Sequence, residues 1–322
     1  MARKLISFDW ALKKLLRSKA NFGILEGFLS ELLNEDIKIK EILESEANKE
    51  TRLDKSNRVD IKVKNSKGEF IIIEVQFNEE WDYLQRILYA TSKTITEHIS
   101  EGNKYNEVIK VISINILYFD LGHGSDYVYH GTTNFIGIHG NDELELTESQ
   151  KTALKHDDVY QLFPEYYLLK INNFNDKAKN TFDEWVHFLK HEEVKPSFTA
   201  KGLKEAKEKL DIMKLSENKR KEYETYIEDR RVKFSELWTA TEKGRIEGEI
   251  KGEIKGANKE KVKIAKKMYK KGNSLEEIAE MTELSLDQLQ EILPLKDNKV
   301  SEKPKKYSAK SKKKAIKKTK KK

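Results

Sequence analysis

The chain has 322 residues, of which 37% are hydrophobic and 36% are charged. This length leaves room for about two domains with cores of their own. The absence of cysteine excludes disulfides, thiolate zinc sites and a cysteine nucleophile, so a bound metal must use oxygen or imidazole ligands. That favours hard ions such as Mg²⁺ or Mn²⁺. No stretch reaches the roughly 18 apolar residues of a membrane span, and the opening MARKLISFDW lacks the apolar run of a signal peptide. We therefore expect a cytoplasmic protein without a membrane partner.

The positive charge is concentrated at the C-terminus. Residues 296–322 contain 14 lysines against Asp297 and Glu302, a net charge of +12. The whole chain carries +7, so residues 1–295 carry −5. The lysine-rich tail is predicted to be disordered and to bind phosphate without reading sequence, whereas overall charge gives no argument for DNA binding by the remainder.

The first elements predicted are a helix and a strand. Asp9 is interpreted as the helix cap, and apolar residues then recur at helical spacing as far as Leu33. Gly23 is expected to kink or divide this helix. A strand from Ile37 to Leu43 follows and runs toward Glu46, which is either a third site carboxylate or a surface glutamate.

A period of two begins at Arg58 and predicts a β-hairpin. On the first strand, apolar and polar side chains alternate: Val59, Ile61 and Val63 against Asp60, Lys62 and Lys64. The second strand runs from Phe70 to Phe77, with its apolar face at Ile71, Ile73, Val75 and Phe77. A three-residue loop between the strands would place Asp60 directly opposite Glu74, with Cβ atoms about 4.5–5.5 Å apart.

Two facing carboxylates repel each other unless a cation lies between them, so Asp60 and Glu74 are candidate ligands of one metal ion. One or two Mg²⁺ ions held by carboxylates are sufficient for phosphodiester hydrolysis. Gln76 lies on the same face and is a candidate for orienting water or phosphate, and Lys55 or Lys62 is a candidate for the nearby positive group. The alternative is a solvated polar hairpin face, although Ile72 on that face indicates that it is covered.

Further elements are predicted in alternating order. A helix over 81–99 precedes a buried strand over 108–119. A loop with a short hairpin over 120–140 precedes a strand over 163–174, a helix over 175–190 and a charged helical region over 201–239. Arg86 is expected to bind phosphate or to pair with Asp82. The histidines at 123, 130 and 139 match no zinc spacing and are interpreted as loop residues.

The C-terminal region contains a repeat and two capping boxes. Glycines recur every four residues at 244, 248, 252 and 256, which predicts either a close helix pair in a homodimer or a flexible linker. Ser274 with Glu277, and Ser285 with Gln288, are capping boxes for two short helices that follow a basic helix over 261–271. Three such helices indicate either a helix-turn-helix or a small helical cap without a ligand.

The motif of Asp60 followed by Glu74-Val75-Gln76 resembles the PD-(D/E)XK nuclease superfamily, with glutamine at the usual lysine position. The chain more specifically resembles the Rpn family of recombination-promoting nucleases and transposases, whose members show an EXQ version. Further likeness covers most of residues 5–293. It lies in Asp9-Trp10-Ala11-Leu12-Lys13, Arg86 and Tyr89, the strand Asn115 to Phe119, the segment Pro164 to Phe174 and the glycine repeat.

This resemblance implies an α/β fold with a restriction-endonuclease-like mixed sheet flanked by helices, followed by a helical C-terminal region. The expected divisions are a nuclease-like domain over 1–195, a charged helical region over 196–260, a small helical domain over 261–295 and the tail over 296–322. The implied function is Mg²⁺-dependent DNA cleavage, with Asp60 and Glu74 as metal ligands and Gln76 as the third catalytic residue. The alternative on the same fold is a non-catalytic DNA-binding or dimeric assembly protein.

Overall fold

The fold is built on a mixed six-stranded sheet. It is taken from a computed structural model that describes residues 5–43, 60–99, 102 and 104–294. The strands are β1 (Ile39–Leu43), β2 (Ile61–Asn65), β3 (Phe70–Gln76), β4 (Val111–Leu117), β5 (Val128–Gly131) and β6 (Glu165–Lys170). Their spatial order is β1-β2-β3-β4-β6-β5. β4 lies between β3 and β6 and is parallel to both, and the other neighbouring pairs are antiparallel.

Helices flank this sheet, as predicted. Those described are α1 (Phe8–Lys14), α2 (Phe22–Leu33), α3 (Tyr83–Glu97), α4 (Glu148–Leu154), α5 (Thr181–His191), α6 (Leu203–Lys209), α7 (Glu217–Lys270), α8 (Leu275–Thr282) and α9 (Leu286–Ile292). The main core joins one face of the sheet to α1, α2, α5 and α6. Every residue of β4 is buried, as its nearly continuous apolar run predicts.

The predicted register of the β2–β3 hairpin is confirmed. Ile61 pairs with Ile73 and Val63 with Ile71, and the loop joins Asn65 to Glu69. Lys62 and Ile72 lie on the opposite face, where Ile72 packs with Phe70, Ala90 of α3 and Val111. The face that carries the polar motif is therefore covered by α3 and is not an open, solvated surface.

The prediction for the N-terminal helix is wrong in two respects. Asp9 is not the cap: Ser7 occupies the N-cap position, and Asp9 is buried within the first turn. The division of the helix comes at residues 15–21, before Gly23, where α1 ends and a short 3₁₀ helix (Lys19–Asn21) leads into α2. Asp9 is free to make tertiary contacts because it does not cap the helix.

The prediction of a loop with a short hairpin over 120–140 is met only in part, because the local antiparallel pairing is a single bridge between Ile136 and Glu143 at the end of this range. The one strand of this region, β5, pairs antiparallel with β6, which lies more than 30 residues further along the chain. The helix α4 was not predicted, although Thr147 and Gln150 form a capping box at its start. Such pairing between distant strands leaves no local signal in the sequence.

The compact unit continues past the boundary expected at residue 195. It ends at Asp229, and α6 contributes Leu203, Ala206 and Leu210 to the main core. The close approach of α6 to α2 requires a glycine: a Cβ added to Gly27 would lie 2.3 Å from the carbonyl oxygen of Lys201. The charged appearance of residues 196–229 therefore conceals a helix, α6, that buries its apolar face.

The second unit begins at Arg230. Both predicted capping boxes are present, at Ser274 with Glu277 for α8 and at Ser285 with Gln288 for α9. A small core joins α8 and α9 to the end of α7 through Ala265, Ile278, Leu284, Leu289 and Leu293. The predicted tail over 296–322 lies outside the described residues. No helix in the described part of the chain has the length and apolar character needed to cross a membrane.

Candidate active site

Asp60 lies immediately before β2, beside the end of β3 that carries the motif. Its Oδ2 accepts a hydrogen bond of 2.7 Å from the backbone N–H of Val75. The hairpin register, continued by one residue beyond the Ile61–Ile73 pair, puts Asp60 across from Glu74. Burial raises the pKa of Asp60, against the opposing effect of the nearby Lys13. The sequence therefore predicted the neighbour of this carboxylate correctly.

Glu74 is the most enclosed acid of the motif, with only 6% of its side chain exposed. Its pKa is raised to about 7, chiefly by burial and also by the charges of Asp60 and Glu80, against the opposing effect of Arg86. One guanidinium nitrogen of Arg86 donates to Glu74, and the other is 2.8 Å from both carboxylate oxygens of Glu80. Even with this guanidinium beside it, the Glu74 carboxyl is thus costly to ionise in its buried position.

Gln76 lies at the end of β3 and contacts Glu80, the acid that also pairs with Arg86. Its amide nitrogen donates to Glu80 at 2.8 Å and to the carbonyl oxygen of Asn78 at 3.1 Å. Gln76 and Arg86 therefore hold Glu80 from two sides. The interpretation of Arg86 as a side-chain partner of Asp82 is not what is observed, since its guanidinium lies against Glu74 and Glu80.

The N-terminal helix α1 and the turn after it supply positive groups to Asp60. The amine of Lys13 is 3.3 Å from Oδ1 of Asp60 and 3.9 Å from Oδ2 of Asp9. Arg17 donates to the backbone carbonyl of Asp60 at 2.9 Å. Asp9 is 2% exposed, accepts a hydrogen bond from the hydroxyl of Tyr226, and its Oδ1 has no hydrogen-bond partner.

Lys62 does not take the role predicted for it. Its amine lies 3.4 Å from Glu97 near the end of α3, so the positive group observed at Asp60 is Lys13 instead. Strand alternation put Lys62 on the correct face, but its long side chain extends along α3 to the nearest carboxylate. The other candidates, Lys55 and Glu46, lie outside the described residues.

A polar network supports the strand beside Glu74. Asn115 of β4 is the register partner of Glu74, and its carbonyl oxygen accepts from the hydroxyl of Tyr83 at 3.0 Å. Its amide donates to Ser113 at 3.1 Å. These groups are buried and hydrogen bonded to each other, so they fix β3 and β4 beneath the motif.

The carboxylates of this site have the chemistry that a divalent metal prefers. No group of three or more His, Asp or Glu side chains arranged to hold a metal occurs within the described ranges. Mg²⁺ needs fewer protein ligands, since it retains several waters and is commonly held by one or two carboxylates. Asp60 and Glu74 fit this requirement: both are largely buried, both have raised pKa values, and the charge of Asp60 raises the pKa of Glu74.

Several residues of this site were not predicted from the sequence. Sequence pattern gives no role to Glu80 or Tyr226, favours a cap at Asp9, and marks Lys13 only through the family resemblance. The sequence does contain one signal: Asp9 and Lys13 are four residues apart in a short, largely apolar helix, a spacing that places an acid and an amine on one face. The contact of Tyr226 with Asp9 joins residues 217 apart and has no local signature.

Comparison with known proteins gave one match. A family model described as PD-(D/E)XK nuclease family transposase matches residues 6–236. No curated protein and no solved structure matches the chain. The matched region covers more than half of the chain and includes Asp9, Lys13, the β2–β3 hairpin, Arg86 and Tyr226.

Proposed function

The chain belongs to the PD-(D/E)XK nuclease family of transposases, and on this premise we propose that it is a metal-dependent DNA endonuclease whose cuts serve transposition or recombination. The predicted α/β nuclease fold, a mixed sheet flanked by helices, is confirmed. The observation that carries the proposal is the hydrogen bond from the Val75 N–H to Asp60, which holds the two acids of the motif side by side. A nuclease family indicates DNA as the substrate.

Asp60 and Glu74 are the proposed ligands of Mg²⁺ or Mn²⁺. When bound, such an ion supplies an activated water and neutralises charge on the scissile phosphate. The raised pKa values support this assignment, because a buried carboxylate pair that is unfavourable when ionised becomes favourable beside a divalent cation.

The side chain of Glu74 is positioned by Arg86, Glu80 and Gln76. Arg86 bridges Glu74 and Glu80, so the Glu74 carboxylate is held by a partner that is itself fixed. Gln76, predicted as the third catalytic residue, is proposed to act by holding Glu80. Partners of this kind commonly change metal affinity or activity by about 10–100-fold when they are replaced.

The charges that meet at the site support a phosphate substrate. Four carboxylates lie against three cationic side chains: Asp9, Asp60, Glu74 and Glu80 against Lys13, Arg17 and Arg86. With all of them ionised, a divalent cation changes the local sum from −1 to +1. That sum matches the single negative charge of a phosphodiester, so metal binding and DNA binding are expected to be coupled.

The proposal includes a homodimer formed through α7. The glycines at 244, 248, 252 and 256 lie within this helix, and a Cβ added to any of them would meet no atom within 4 Å. Ile246, Ile250 and Ile254 recur with the same period and are each about half exposed, but they lie on the other side of the helix, since an offset of two residues is about 200°. A second copy packed on the glycine side would offset the helix-propensity cost of the glycines. A non-catalytic assembly protein remains the second candidate, because this surface supports it equally.

Nicking of supercoiled plasmid with Mg²⁺ or Mn²⁺ tests the proposal. Asp60→Asn and Glu74→Gln should each lower the rate by at least about 100-fold, since even outer partners of a metal cost 10–100-fold. Glu69→Gln is the matched control, because it lies at the far end of the same hairpin and can keep its hydrogen bond with Asn65. It should cut like the wild type.

The result separates the two candidate functions. A wild-type protein that binds DNA but never cuts it, with either metal, would favour the assembly protein. Cutting that is unaffected by both motif substitutions would show that the site lies elsewhere.

A further inference from the structure

The amine of Lys13 lies where the site needs a positive charge beside the metal ligands. It is 3.3 Å from Asp60, whose other oxygen is fixed by the N–H of Val75. The other cations of the region have different partners: Lys62 pairs with Glu97, Arg86 lies between Glu74 and Glu80, and Arg17 donates to the backbone carbonyl of Asp60. Gln76, at the end of β3, is neutral.

Resting on the proposed function, we propose that Lys13, supplied by helix α1, is the catalytic cation that binds the attacked phosphate group, with buried Asp9 as the residue that positions it. The side chain of Lys13 is 43% exposed, so its amine is accessible to substrate. An ammonium has three donors, and the contacts with Asp60 and Asp9 occupy at most two of them.

Asp9 is built into the protein as an anchor for this amine. It precedes Lys13 by four residues on α1, is 2% exposed, and has its orientation fixed by the hydroxyl of Tyr226. A buried carboxylate needs charged or hydrogen-bonding partners. Among the described residues, Lys13 is the charged partner of Asp9. The acid therefore draws the flexible lysine side chain back toward Asp60.

The chemical role follows from where charge develops. The oxygen of a water attacks phosphorus, the bond from phosphorus to the leaving oxygen breaks, and its electron pair stays on the leaving oxygen, which takes a proton from solvent. The proton lost by the attacking water also passes to solvent, so the Lys13 ammonium undergoes no net change. Its hydrogen bond to a non-bridging oxygen strengthens as negative charge accumulates there. Removing one such donor typically costs about 10²–10³ in kcat.

The test compares Lys13→Met, Lys13→Arg and the control Lys14→Met in the full-length protein. Lys14 is the next residue of α1 and pairs with Glu222. Plasmid nicking and DNA affinity are measured together with Mn²⁺ binding by calorimetry at pH 8. Lys13→Met should lower kcat about 100-fold, Lys13→Arg should recover at least about tenfold of that loss, and Lys14→Met should cut like the wild type.

Metal affinity distinguishes chemistry from damage to the fold. Removing a positive charge beside Asp60 should tighten Mn²⁺ binding by at least about threefold, because the ammonium and the metal repel each other. A structural defect would weaken metal binding and cutting together. Lys13→Met that cuts within threefold of the wild type, or that loses Mn²⁺ binding, would overturn this assignment while leaving the proposed function intact. Wild-type protein that binds no metal and cuts nothing would overturn both.

The role of Asp9 is tested by a double-mutant cycle. Asp9→Asn should lower kcat about tenfold in the wild type but cause no further loss in Lys13→Met, because it acts through the lysine. An equal loss in both backgrounds would show that Asp9 does not act through Lys13.

Discussion

Arg86 of α3 donates a hydrogen bond to Glu74 of β3, and this ion pair links the helix behind the sheet to the acid at the centre of the motif. Burial and neighbouring carboxylates raise the pKa of Glu74 to about 7, even with the guanidinium present. The acid is therefore partly protonated near neutral pH until a metal displaces the proton, so metal binding should depend on pH.

The affinity for Mn²⁺ should fall as the pH is lowered below about 7. A ligand must be deprotonated to bind, so protons compete with the metal wherever the pH is under the pKa of Glu74. One competing proton weakens binding by about tenfold for each pH unit. Calorimetry from pH 5.5 to 8.5 measures this, and a flat profile over that range would contradict the assignment of Glu74.

Two substitutions should move this midpoint in opposite directions. Arg86→Met removes the charge that lowers the pKa of Glu74, so binding should begin to weaken at a higher pH. Glu80→Gln removes a charge that raises this pKa, and the midpoint should move lower. Shifts in the same direction would mean that the variants act through the fold and not through charge.

The hairpin shows how far sequence can lead. Alternation and loop length were sufficient to bring Asp60 beside Glu74, because both are local and the register of a short hairpin is fixed by its turn. The same reasoning gave the wrong partner for Lys62, since alternation predicts the face of a strand but not the carboxylate that a long side chain reaches. The contacts of Lys13 with Asp60 and of Tyr226 with Asp9 depend on tertiary packing of α1 and α7.

The packing of α2 on α6 predicts a matched pair of glycine substitutions. Gly27→Ala should destabilise the protein by about 1–3 kcal/mol, as overpacking does, because its Cβ would lie 2.3 Å from the carbonyl of Lys201. Gly244→Ala has open space around it within one copy of the chain and, measured at a protein concentration that keeps the copies apart, should stabilise helix α7 by about 0.8–1.0 kcal/mol. Urea unfolding measures both, and equal effects would contradict the close approach.

Dimerisation through α7 should be sensitive to bulk at the glycines. Gly248→Leu with Gly252→Leu should lower the mass found by sedimentation from dimer to monomer, because the helices could no longer approach. Glu249→Leu with Glu253→Leu adds the same side chain on the adjacent side of the helix and is the control. A wild-type protein that sediments as a monomer would exclude the repeat as a dimer interface.

The lysine-rich tail should govern the salt dependence of DNA binding. Deleting residues 296–322 removes a net charge of +12, so the slope of log affinity against log salt should flatten by several units, at about 0.9 for each phosphate that the tail neutralises in the full-length protein. The nicking rate at saturating DNA should be unchanged. A slope unaltered by the deletion would assign phosphate binding to other residues.

The most direct measurement is a crystal structure with Mn²⁺, located by its anomalous scattering. We predict a peak between the carboxylates of Asp60 and Glu74, with metal–oxygen distances of about 2.0–2.2 Å, and its loss in Glu74→Gln. A protein that cuts DNA with Mn²⁺ while the ion is bound away from both carboxylates would contradict the central claim.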